Sequence, residues 1–178
     1  KYADGSLKYE GVYDAGVAIG THYHYKPGRI CDSVEYYNDS TKLFFKKWVC
    51  SNYSIPDSAI EYFNGTVVAK GQVDSARNRI GPWIEYHVTG EFKGKGIYVA
   101  GSRTGEWEFF YSSGKLEQKG RYDKRGRTQG VWKWFYESGN LMREENYVNG
   151  KREGLMTDYT ESGKIITKGN WVDNRKEG

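Results

Sequence analysis

The chain has 178 residues and a formal net charge of +4, from 27 Lys and Arg against 23 Asp and Glu. Only 37% of it is hydrophobic, Leu, Ile and Val are scarce, and 16 Tyr, 7 Phe and 6 Trp supply most of the apolar area. That balance argues against a thick core, no apolar run approaches the ~20 residues of a membrane span, and the mild basic excess lacks the dense stripe of a nucleic-acid binder.

From the N terminus, Tyr2, Gly5, Leu7, Gly11, Tyr13, Gly16 and Gly20 open a pattern, with His22 and His24 in slots that later carry aromatics. A second copy keeps Tyr25, Gly28, Ile30 and Tyr36 but has Val34 and Asp39 in place of glycines. An insertion follows, somewhere within about residues 40–59. The pattern resumes at Tyr62, Gly65, Val67, Gly71, Val73, Gly81 and Trp83, and is clean from Gly105 onward. There Trp107, Phe109, Tyr111, Gly114, Leu116, Gly120 and Tyr122 are matched by Trp132, Trp134, Tyr136, Gly139, Leu141 and Tyr147. A last copy has Tyr159, Gly163, Ile165, Gly169 and Trp171, and Gly178 stands where another strand would open, which suggests a trimmed eighth copy. The chain starts at Lys1 without an initiator Met and reads as a trimmed or mature form.

The glycine after the first aromatic falls at positions 5, 28, 65, 90, 114, 139 and 163, giving intervals of 23, 37, 25, 24, 25 and 24. One period of about two dozen residues with a single long gap is the signature of a repeat array. Within a unit, Trp132, Trp134 and Tyr136 alternate as on a strand, residues 137–140 form a turn with Gly139 at a positive φ, and Leu141–Tyr147 returns. A strand glycine between aromatics, such as Gly120, predicts a ring lying over bare backbone. No segment has a helical apolar period. The expected fold is all-β: one elongated, twisted antiparallel sheet of about seven tandem β-hairpins over residues 1–178, each touching near neighbours.

The units Tyr111-Ser-Ser-Gly-Lys-Leu116 and Tyr136-Glu-Ser-Gly-Asn-Leu141, each followed by Y-x-x-G and G-x-W spacing, resemble the bacterial MORN-repeat variant, including YwqK-type antitoxins of toxin–antitoxin systems. The resemblance implies binding and scaffold modules: antitoxins or immunity proteins in bacteria, and lipid or protein attachment in eukaryotic relatives. It implies no cofactor.

Several constellations compete with a purely structural reading. His22 and His24 share a strand face at a spacing that can hold a metal, but both sit in ring slots, and the structural reading is preferred. Cys31 and Cys50 read either as a disulfide, which requires an oxidising compartment, or as two free thiols. Sequons at Asn38, Asn52 and Asn64 carry no weight in a bacterial chain. Gly94-Lys95-Gly96 and Lys124-Arg125-Gly126-Arg127 fall on turns and lack a phosphate-loop spacing. Glu106 and Glu108 flank Trp107 on an outer strand face rather than forming an acid–base pair. No catalytic constellation remains, so the chain is expected not to be an enzyme.

The expected function is a non-catalytic protein-binding module of antitoxin, immunity or scaffold type that meets a partner protein through its sheet face and insertion. The candidate partner-binding residues are Phe44, Phe45, Trp48 and Tyr53, which spend aromatics outside the template. The alternative is a cell-surface or membrane-associated module for lipid headgroups or glycans, with Lys124, Arg125, Arg127, Lys151 and Arg152 as anion contacts. The location is cytoplasmic for an antitoxin, and periplasmic or cell-surface if the cysteines are bonded.

Overall fold

The computed structural model describes residues 1–28, 30–37, 44–50 and 57–177, with backbone only at Phe44 and Phe45. The described residues contain strands and turns and no helix, as the repeat pattern predicts. They divide into two compact units, Lys1–Gly90 and Glu91–Gly178. The first holds β1 (Tyr9–Asp14), β2 (Val17–Lys26), β3 (Ile30–Tyr37), β4 (Phe44–Val49), β5 (Ser58–Phe63), β6 (Thr66–Val73) and β7 (Arg79–Tyr86). The second holds β8 (Phe92–Val99), β9 (Ser102–Phe110), β10 (Leu116–Tyr122), β11 (Thr128–Phe135), β12 (Leu141–Val148), β13 (Lys151–Tyr159), β14 (Ile165–Val172) and β15 (Arg175–Glu177). In each unit every strand pairs antiparallel with the next in sequence, so the sheet is a hairpin meander.

Two turn types connect the strands of the second unit. Template turns close on Gly114, Gly139 and Gly163, whose N–H groups donate to the carbonyls of Tyr111, Tyr136 and Thr160 at 2.8–2.9 Å. Tight turns with two consecutive residues at positive φ lie at Ala100-Gly101, Asn149-Gly150 and Asp173-Asn174, with Ala15-Gly16 and Asn64-Gly65 in the first unit. That backbone matches the twist of the flanking strands. The turn after β10 instead closes like a template turn, the Gly126 N–H donating to the Asp123 carbonyl at 3.0 Å.

The core is a layer of rings on one sheet face. Trp107 is opposite Gly120, Trp132 is opposite Glu145, Glu145 is opposite Met156, and Met156 is opposite Gly169. Residues directly opposite in a ladder project from the same face, so the second unit keeps its ring row on one side throughout, while Thr157, also buried, lies on the other. The first unit does not. There the chain of partners Tyr23–Val34–Trp48–Ala59–Gly71–Trp83 carries the tryptophans. His22, which fills the ring slot of the first copy, belongs to the adjacent chain His22–Glu35–Lys47–Ile60–Lys70–Ile84 and therefore points from the opposite face.

The cause is the insertion. Two strands separate successive template turns in the second unit, but three, β3, β4 and β5, separate Gly28 from Gly65. The pairings of β4 run without a bulge on either side. One extra strand reverses the direction of every later template strand, and a chiral hairpin reversed along an unchanged sheet must present its rings on the other face. The insertion, expected to meet a partner, thus contributes an in-sheet strand, β4.

Candidate binding surfaces

The ring slots are consumed by packing. A Cβ on Gly71, Gly96 or Gly120 would stand 2.2–2.4 Å from the rings of Trp83, Trp107 and Trp132, so each indole lies flat on glycine backbone, the arrangement expected for Gly120. Each indole Nε1 then donates to the carbonyl of the residue after that glycine: Gln72 at 2.8 Å, Ile97 at 3.2 Å and Arg121 at 3.2 Å. Guanidinium groups lie over two of the outer ring faces, Arg79 at 4.3 Å from Trp83 and Arg103 at 4.6 Å from Trp107. Arg79 also pairs with the buried Glu61 at 2.6 Å and with Glu85 at 3.5 Å, so stacking and ion pairing share one side chain.

In the first copy, His22 is fully buried and a Cβ on Gly11 would stand 2.2 Å from its ring. Its Nε2 lies 3.0 Å from the Ile19 carbonyl, an acceptor, so that nitrogen carries the proton and Nδ1 accepts from the Tyr9 hydroxyl. Tyr13 donates in turn to Tyr9 at 2.6 Å. His24 faces Glu35 at 3.3 Å, and Lys47 faces the same carboxylate at 3.3 Å. Burial alone would raise Glu35, but the Tyr37 hydroxyl, His24 and Lys47 together hold it below the usual carboxylate range. Burial pushes the Tyr9 and Tyr37 phenols above their ordinary value, helped by Tyr13 and Glu35 respectively. Among the described residues no three His, Cys, Asp or Glu side chains converge as a metal site.

Of the proposed partner-binding residues, Phe44 and Phe45 lie on β4, where only their backbone is described, and Tyr53 lies outside the described residues. Trp48 is buried between Val34 and Ala59 with Arg77 over its ring at 4.8 Å, so it serves the core of the first unit. Cys31 and Cys50 form a disulfide with Cα atoms 6.0 Å apart. It joins the start of β3 to the residue after β4 and so clamps the added strand to the array.

Three of the five proposed anion contacts are engaged within the array, two of them in stitching turns together. Arg127 pairs with Asp123 at 2.7 Å and donates to Asn149 Oδ1 at 2.8 Å. Hydrogen bonds from the backbone and guanidinium of Arg127 lower Asp123 below its usual range. Lys151 pairs with Asp173, and Arg152 lies 5.0 Å from the Trp171 ring and 3.5 Å from Glu145. Lys124 and Arg125 are exposed at their turn. On the other edge of the second unit, template tyrosines stitch successive copies: Tyr111 donates to the Phe135 carbonyl at 2.7 Å and Tyr136 to the Tyr159 carbonyl at 2.8 Å; within the first unit Tyr2 donates likewise to the Tyr25 carbonyl at 2.7 Å.

The surface that the sequence reading did not single out is the outer face of the second unit. Ile97, Val99, Val131 and Leu155 alternate with the ring layer and are about half exposed. Glu108 on this face pairs with Lys95 at 3.2 Å, and Glu144 with Lys133 at 2.6 Å. The signal lay in the residue before each ring slot: Val131 precedes Trp132, and Leu155 precedes Met156.

Glycine-seated rings, two recurring turn types and one-repeat stitches define a tandem β-hairpin repeat protein. The repeat itself is identified by comparison: residues 103–124, 128–149 and 152–173 each match the MORN repeat variant, and all three lie in the second unit. No curated protein matches the chain.

Proposed function

We propose that the chain is a non-catalytic protein-binding repeat module of immunity, antitoxin or scaffold type. The observation that carries this reading is the outer face of the second unit, where exposed β-branched and leucine side chains sit among paired charges. Val131 and Leu155, each about half exposed, line one depression on this face, and grouped exposed aliphatics mark interaction surfaces. The Cys31–Cys50 disulfide favours an oxidising compartment, and with it an exported immunity protein or scaffold over a cytosolic antitoxin.

The test is affinity capture from the source organism's lysate at low and high salt, with the wild-type chain and with Val131→Lys/Leu155→Lys. A single stoichiometric protein that survives high salt and is lost with the double variant is the expected result. Capture that ignores the substitutions, or no protein at high salt, overturns the reading. Lys124 and Arg125, exposed on one turn, support the second reading, a lipid-headgroup or glycan module. Binding to anionic vesicles that collapses as salt rises would favour it.

A further inference from the structure

The outer face of the second unit carries a row of charge that crosses the strands. Register partners run Lys95–Glu108–Lys119–Lys133–Glu144–Thr157–Lys168, so this row sets four lysines against two glutamates. Beside it, Phe135 and Tyr159 recur one repeat apart. Lys119 lies 5.9 Å from the Phe135 ring, and the Tyr159 hydroxyl donates to Glu144 at 3.4 Å, which ties both rings to this face. On the row's other side, Val131 and Leu155 are 54% and 50% exposed. Asn146 between them donates to the Glu153 carbonyl at 2.8 Å and so lies low against the sheet. A shallow depression results, lined by Val131, Lys133, Glu144, Asn146, Leu155 and Thr157.

Equivalent positions in successive repeats lie two strands apart, roughly 10 Å. An α-helix laid across the strands presents the same side every seven residues, about 10.5 Å. An extended chain laid the same way repeats at about 6.8 Å and falls out of step. The two excess lysines select the charge of the ligand, and a second copy of this chain would bring like rows together.

We infer that this face receives an acidic amphipathic α-helix of a partner protein, laid across β10–β14. Its apolar residues at i and i+7 rest on Val131 and Leu155, and its carboxylates flank the lysine row. Four interstrand steps span roughly 19 Å, so three to four helical turns suffice. The inference rests on the protein-binding reading above and gives the partner's contacting segment its chemistry.

The probe is a synthetic helical peptide of about 20 residues with Leu on one heptad face and Glu beside it. Its controls replace every Glu by Lys, or scramble the same composition. Fluorescence anisotropy with the full chain should show the acidic peptide bound at least ~10-fold more tightly than either control, with Val131→Asp and Leu155→Asp each weakening it roughly 10-fold. Circular dichroism checks each variant, and Lys133→Glu, on the exposed row, reads the same loss if an Asp variant unfolds. Equal binding of the acidic and scrambled peptides, or indifference to these substitutions, overturns the inference. If the peptide fails while the lysate partner is still captured and still lost on Val131→Lys/Leu155→Lys, the helix falls and the binding reading stands. If capture ignores those substitutions too, both fall.

Discussion

In the second unit, each hairpin adds two strands and the buried row stays on one face from Trp107 to Gly169. In the first, a single added strand, β4, moves the row from the His22 face to the Trp48 and Trp83 face. The residue chemistry of the slot barely changes, since His22 seats on Gly11 as Trp132 seats on Gly120. Strand parity, rather than side-chain identity, decides which face is inside. The second unit therefore keeps its outer face largely open, while the first buries side chains on both, His22 and Ser33 on one and Val34 and Trp48 on the other.

The strongest way to break this comparison is to empty a ring slot. Trp132→Ala should cost about 3–5 kcal/mol, because the ring leaves bare glycine backbone and an unanswered Arg121 carbonyl. Denaturant unfolding of the purified chain measures it, and a loss below about 1 kcal/mol would mean the ring layer is not the core. Next in size is the clamp on the odd strand. Cys50→Ser should destabilise the first unit by about 3 kcal/mol, the chain-entropy expectation for a bridge spanning 19 positions. The second unit's transition should stay in place; if both shift equally, the disulfide is not local to β3 and β4.

Acid sharpens the contrast within the first unit. Glu35 is held below its unfolded value in the native chain, so its contribution is present above that value and fades as pH falls through the lowered one. Glu35→Gln should flatten the acid limb of a melting-temperature profile; an unchanged limb would show that other carboxylates govern it. The smallest effect concerns turns, where the two units should agree. Ala15 and Ala100 sit at φ 43° and 47°, a region that asparagine tolerates better. Ala15→Asn and Ala100→Asn should each stabilise by roughly 0.5–1 kcal/mol, read as a small rise in the denaturation midpoint.

The hairpins, turn glycines and ring-on-glycine contact were legible because each is a local pattern repeated in register. The face exchange was not, since the 37-residue interval in the glycine series does not say whether it holds an even or an odd number of strands. Trp48 looked available for a partner because it stands outside the template, yet its ladder neighbours Val34 and Ala59 place it inside. The basic turns looked free for the same reason. Some of their partners, Asn149 for Arg127 and Asp173 for Lys151, lie 22 residues away and are supplied by stacking one repeat on the next. The outer aliphatics escaped because a residue beside a tryptophan is eclipsed by it in any reading that follows aromatics.

The template tyrosines have a mechanical consequence. In the second unit each hydroxyl crosses from its own turn to a carbonyl 23 or 24 positions onward, at one edge. Under a pull applied along the chain, load reaches one such tie, breaks it, frees one hairpin and passes to the next tie. The second unit is thus built to yield like stitches giving way in turn, one hairpin at a time, rather than failing all at once.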